Sequence, residues 1–123
     1  AAILIEGDSN YWFESGATRH IVIEGNRFHQ CAYVSAWGKA PIQVSPSALV
    51  WEKDRRYHQY LEVRGNVFQC CDDRLVNAVN LKKLVFLDNK IERTTVFEPI
   101  KGQALELDGV LEVETDINKE QQI

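Results

Sequence analysis

An all-β fold of stacked parallel strands is predicted by three features of this chain. First, a phrase recurs: HIVIEGNRFHQC, from His20 to Cys31, returns as YLEVRGNVFQCC, from Tyr60 to Cys71. A third, looser copy is centred on Asn89, so that Asn26, Asn66 and Asn89 align at separations of 40 and 23 residues. Second, the apolar residues before each asparagine alternate: Ile21 and Ile23, Leu61 and Val63, Leu84 and Phe86, with Phe28, Phe68 and Ile91 following. Third, no stripe at the 3.6-residue helical period competes with this alternation. A period in the low twenties with β alternation points to a β-solenoid. Three short strands per turn of that length make it a right-handed parallel β-helix of about four coils. The longer separation is then one period plus an insertion of about 17 residues.

The elements follow in chain order. AILIEG, from Ala2 to Gly7, is a strand; with Ile3 and Ile5 inward, Glu6 points outward by alternation. DSNYWFESGATRH, from Asp8 to His20, leaves it as a polar and aromatic loop. Ile21 to Cys31 then supplies two strands joined at Asn26. Asparagine tolerates the left-handed conformation that such a corner needs, and stacked asparagines can bond one another in a ladder. The insertion AYVSAWGKA (Ala32 to Ala40) precedes the strand PIQVS, and PSALVWEKDRRYHQ (Pro46 to Gln59) precedes the second copy of the phrase. Phe28 is expected over Phe68, and Cys31 over Cys71 as small buried hydrophobes. Asp72 and Asp73 read as a turn before LVNAV (Leu75 to Val79), which precedes the Asn89 phrase. Val85 and Leu87 are expected to form an outward apolar spot. The pattern weakens through VFEPI and ALELDGVLEVE, and residues 104–123 are expected to cap one end of a single domain spanning 1–123.

Composition narrows the function classes. With 45% hydrophobic and 26% charged residues, the chain can bury a core and does not read as disordered. A net charge of −4 with no basic stripe excludes nucleic acid as the expected partner. No apolar run approaches the roughly 20 residues that cross a bilayer, so no membrane partner is expected. Three cysteines are an odd count and form no disulfide framework, and no CxxC or His–Cys spacing suggests zinc. No metal or cofactor is therefore expected. Met is absent and the first residues already read as a strand, as in a piece of a longer protein.

The functional signal is in the insertions, which carry Trp12, Trp37, Trp51, Tyr57 and His58 and are expected along one edge of the coils. Indole faces stack on the apolar faces of sugar rings, while carboxylates and amides hold hydroxyls, so a carbohydrate is the expected partner. Glycoside hydrolysis needs two carboxylates flanking the scissile bond. The candidates by position are Glu6 and Asp8, then Glu14, and Asp72 with Asp73. Outward Gln43 and Asn77 are expected to join Glu6 in a polar row, which is also what any solvated sheet face looks like. Loop-sealing tryptophans and turn aspartates are the plain structural alternatives. No role is assigned to His20, His29 or His58.

AILIEGDSNYWFESGATRHIVIEGNRFHQC, followed by AYVSAWGKA, PIQVSP and YLEVRGNVFQCC, resembles the bacterial exo-α-1,3-galactosidases of glycoside hydrolase family 110. The resemblance spans about residues 2 to 94. It implies a right-handed parallel β-helix, removal of terminal α-1,3-galactose with inversion, and a secreted or periplasmic location. The family's first strand ends in a Glu-Asp-Asp run; here the run is Glu6-Gly7-Asp8, so Asp8 matches the second aspartate and Gly7 stands in place of the first. The resemblance thus implies Asp8 in the active site and Trp12 and Glu14 near the sugar; with the positional reading, Asp8 and Glu6 are expected as catalytic, Trp12, Glu14, Trp37 and Gln43 as sugar-holding, and Asn77, Asp72 and Asp73 as further substrate-binding candidates. A glycine supplies no carboxylate, so a parent enzyme of which this chain alone is inactive stands beside two alternatives: a non-catalytic carbohydrate-binding or adhesion β-helix, and a purely structural solenoid. Exposed coil ends imply end-to-end or face-to-face self-association.

Overall fold

The computed structural model describes residues 1–7, 16–31, 39–46, 55–99 and 101–117. Among them there is no helix, and nine strands follow in order: β1 (Ile3–Ile5), β2 (Ile21–Glu24), β3 (Arg27–His29), β4 (Ile42–Val44), β5 (His58–Arg64), β6 (Val67–Cys70), β7 (Val76–Leu87), β8 (Lys90–Arg93) and β9 (Leu105–Thr115). Every pairing between them is parallel. One curled sheet of six strands runs β1-β4-β7-β5-β2 with β9 added to β7, and a second runs β3-β6-β8.

The registers sort the strands into three columns. In the first, β1, β4, the start of β7 and the start of β9 lie side by side, with Ile3, Ile42, Val76 and Leu105 in line. In the second, β2, β5, the end of β7 and the end of β9 align Ile21, Leu61, Leu84 and Val113. The third is β3, β6 and β8, aligning Phe28, Phe68 and Ile91. The pairing at separations of 40 and 23 residues read from the sequence is therefore present, strand for strand. One difference is continuity: LVNAV and LVFL belong to one twelve-residue strand, β7, which passes through both columns.

Alternation drives the core. Ile5, Ile42, Val44, Val76, Ala78 and Leu105 face inward from the first column, and Ile23, Leu61, Val63, Leu84 and Phe86 from the second. Phe28 stacks on Phe68 with ring centroids 4.8 Å apart and planes 10° from parallel, as expected, and Phe68 meets Phe86 at 5.7 Å. Each buried phenylalanine contributes about 2–3 kcal/mol of apolar transfer. Cys71 is buried, as expected, with its thiol on the polar groups of Thr94 and Gln30; Cys31 is half-buried and packs against the core, and Cys70 lies within it. Val85, expected to be exposed, is 2% accessible. Its register neighbours are Glu62 and Glu114.

Two kinds of corner join the columns. Between the second and third columns, Asn26 N–H and Nδ2–H donate to Asn66 Oδ1 (2.9 and 3.1 Å), and Asn66 N–H and Nδ2–H donate to Asn89 Oδ1 (both 3.0 Å). This is the expected ladder, but the left-handed residue is the one before each asparagine: Gly25 (φ 68°), Gly65 (φ 65°) and Asp88 (φ 57°). The amide bonds across the stack while its neighbour makes the turn.

Between the first and second columns the corner is variable. In β7 it is made by one residue, Asn80 (φ 59°), and in β9 by its register equivalent Gly109 (φ 66°). After β1 and after β4 the same corner opens into the long insertions that rejoin at β2 and β5. The strand β9 lies at one side of the sheet, where Leu107 and Val113 continue the inward rows yet remain 36% and 44% exposed. Its outward side chains Glu106, Asp108, Glu112 and Glu114 are all acidic, and Lys83 reaches Glu112 and Glu114 at 4.0 and 3.9 Å.

Candidate functional site

The variable corner holds the candidate site. Ile5 turns inward and Glu6 outward, so Glu6 is exposed where β1 ends, while Gly7 is buried with φ 138°. A β-carbon on Gly7 would lie 2.6 Å from Tyr57 Cε1, 2.7 Å from Tyr57 Oη and 3.0 Å from Tyr57 Cζ. The tip of the Tyr57 ring thus occupies the space that a side chain at position 7 would need. Tyr57 is fixed from the other side: its N–H donates to Asn80 Oδ1 at 2.8 Å, and its ring meets His58 edge to face at 4.8 Å. Next to it, Arg56 Nε–H donates to the Gly109 carbonyl at 2.6 Å. Two consecutive residues returning from the second insertion, Arg56 and Tyr57, therefore touch the corner at β1, β7 and β9.

His58 closes the inner side and is 1% exposed. Its Nδ1 accepts from Thr18 N–H at 3.1 Å and from the Thr18 hydroxyl at 2.8 Å, which places the ring proton on Nε2. Burial pushes the imidazole below its ordinary pKa of 6.5, and the nearby Glu6 carbonyl opposes this weakly, since Nε2 completes no hydrogen bond. The neutral ring is what the Thr18 contacts require.

The expected site residues are distributed as follows. Asp8, Trp12, Glu14 and Trp37 lie outside the described residues, as does Trp51. Gln43 aligns with Leu4 and Asn77, so the outward row is Leu4, Gln43, Asn77 and Glu106, and Glu6 stands one outward position further along. The Gln43 amide is committed locally: Oε1 accepts from Lys39 N–H at 2.7 Å and Nε2–H donates to Ser45 Oγ at 3.2 Å. Asp72 and Asp73 precede β7, at the opposite end of the first column from Glu6. Asp72 is 3% exposed, and Asp73 pairs with Arg93 at 2.8 Å and accepts from Gly102 N–H at 3.3 Å. The insertions also divide: 8–20 and 46–57 leave the corner after the first column, while 32–40 enters that column from its start. They flank a strand column three residues wide, roughly 10 Å long at the usual rise.

Asn80 and Thr18 carried no expected role, and Tyr57 was expected only as one of the aromatic residues of the insertions. The alignment of LVNAVN with ALELDG puts a turn residue, Asn80 or Gly109, at the corner, and this was the available signal. A second polar cluster lies away from this corner. Gln30 Nε2–H donates to Thr94 Oγ1 at 2.7 Å; the Thr94 hydroxyl and Phe97 N–H both sit 3.1 Å from Cys71 Sγ. The Thr94 hydrogen bond, foremost, lowers the Cys71 pKa, whereas burial pushes Cys70 up to about 11. Among the described residues no group of three His, Cys, Asp or Glu is arranged to hold a metal ion.

No family model matches the chain. It is 36% identical over 102 residues to the alpha-1,3-galactosidase A of Bacteroides fragilis, covering 83% of this chain and 17% of that protein. It is 32% identical over 101 residues to the alpha-1,3-galactosidase B of Bacteroides thetaiotaomicron (80% and 16%), and 32% identical over 93 residues to that of Akkermansia muciniphila (74% and 12%). The chain thus spans less than a fifth of the length of these relatives. The matches support an α-1,3-galactosidase-like relationship over this segment.

Proposed function

We propose that this chain is part of a family 110-type glycoside hydrolase acting on terminal α-linked galactose with inversion, built on a right-handed parallel β-helix and secreted. The observation that carries the reading is the similarity to α-1,3-galactosidases over about four fifths of the chain. Its support in the geometry is the variable corner, where an exposed Glu6 stands beside the roots of two insertions rich in aromatic and acidic residues. In the proposed reaction Glu6 and Asp8 supply carboxylate chemistry. One protonates the glycosidic oxygen and the other takes a proton from the attacking water on the opposite face of the sugar; an inverting pair stands roughly 6.5–9.5 Å apart to leave room for that water. Trp12, Glu14 and Trp37 hold the ring.

One observation favours a second reading, a binding module without catalysis. Gly7 offers no carboxylate, and Tyr57 fills its side-chain space, so the corner has been rebuilt around a phenol. Hydrolysis of p-nitrophenyl α-galactoside and of an α-1,3-linked galactose disaccharide separates the two. An enzyme turns over both and loses at least about a hundredfold in kcat with Asp8→Asn or Glu6→Gln, the scale of removing an acid–base group. Binding without turnover supports the module, and turnover undamaged by both substitutions removes these carboxylates from the mechanism.

A further inference from the structure

We propose that Tyr57 is a ligand-contacting residue of the corner site, its ring forming a wall and its hydroxyl bonding a sugar hydroxyl beside Glu6; this rests on the carbohydrate reading above. Four observations converge on it. The ring tip lies over Gly7, immediately next to Glu6 in the chain. The residue is only half-buried at the corner. Its position is set by groups other than its hydroxyl: Asn80 holds the backbone N–H, His58 packs against the ring, and the absence of a β-carbon at residue 7 leaves the seat open. The phenol oxygen itself makes no hydrogen bond to any described residue. A rigid, half-exposed phenol whose polar tip is unused is suited to a ligand that presents an apolar face and a hydroxyl together.

The same geometry makes Gly7 and Tyr57 one unit. Any side chain at residue 7 collides with the phenol, and a φ of 138° disfavours residues other than glycine. Alanine at position 7 must therefore push the ring out of its seat. Replacing Tyr57 by phenylalanine leaves packing intact and removes only the hydroxyl. The two substitutions attack one contact from opposite sides, which separates a ligand role from a packing role.

Saturation-transfer NMR and calorimetric titration with methyl α-galactoside test this on the whole chain, with Tm measured alongside. The wild type binds. Tyr57→Phe weakens binding about fivefold at unchanged Tm, the effect of one neutral hydrogen bond. Tyr57→Ala weakens it by more than about tenfold, and Gly7→Ala does the same by displacing the ring. The remote Glu92→Gln, on the third column, binds as the wild type does. If Tyr57→Phe and Tyr57→Ala both bind with wild-type affinity, the assignment of Tyr57 is overturned while the carbohydrate reading stands. If the wild type binds no α-galactoside, both fall.

Discussion

The two corners of this sheet do opposite work. At the corner between the second and third columns, three asparagines repeat one geometry and each is tied to the next. At the corner between the first and second columns, four crossings have four solutions: two long insertions, one asparagine and one glycine. The constant corner fixes the register, because a slip by one residue would break every amide bond in the ladder and turn the core row outward. With register secured there, the other corner can vary in length without disturbing the core. It is also where Glu6, Tyr57 and the roots of both insertions gather. Constancy at one corner permits variation at the other.

The largest effect should come from breaking the constant corner. Asn66 is 1% exposed; its amide nitrogen also donates to the carbonyls of Ile23 (2.9 Å) and Arg64 (3.2 Å). Asn66→Ala strands these buried groups and should cost about 3 kcal/mol in chemical denaturation. An m-value that changes with it would indicate loss of the register itself. A smaller break is Gly65→Ala. No heavy atom stands near the added methyl, so the cost is the positive φ alone, about 1–2 kcal/mol. A result near zero would show that the turn relaxes and that the amides alone hold the corner.

The smallest effect is at the variable corner and depends on pH. The folded-state pKa of His58 lies below the unfolded value of 6.5, so the unfolded chain takes up the proton first as pH falls. The stabilisation is complete above pH 6.5 and is lost as pH drops through the folded pKa. Tm should therefore fall more steeply between pH 7 and pH 5 in the wild type than in His58→Asn. Equal slopes would mean that burial does not hold the ring neutral.

These corners also mark what could be read from the amino-acid order. The ladder was legible because its signal is local: glycine or aspartate before asparagine, with apolar residues at fixed offsets, recurs three times. The stack of Phe28 on Phe68 followed from the same alignment. The seating of Tyr57 on Gly7 was not legible, since the contact joins residues 50 positions apart, across insertions that break the repeat. In the polar row Gln43 and Asn77 align as expected, while Glu6 stands one outward position further along than read. Three-residue strands offer too few side chains to fix register, which is set instead by bonds such as Ser45 N–H to the Ile5 carbonyl. Cys71 was read as buried from its offset in the phrase, and it is; the hydrogen bonds of its thiol with the Thr94 hydroxyl and the Gln30 amide were not legible.

The acidic fringe of β9 gives the sheet two chemically distinct borders. On the opposite side, β1 and β2 present Leu4 and Val22 among mixed charges. A strand approaching β9 meets four carboxylates in alternation with a half-open apolar row. Such a fence turns away another acidic border and admits a segment with lysine or arginine at matching positions, and its discrimination weakens with added salt. The direction in which this molecule can be extended is thereby written into its side chains rather than into its backbone, which would accept a neighbour equally well at either border.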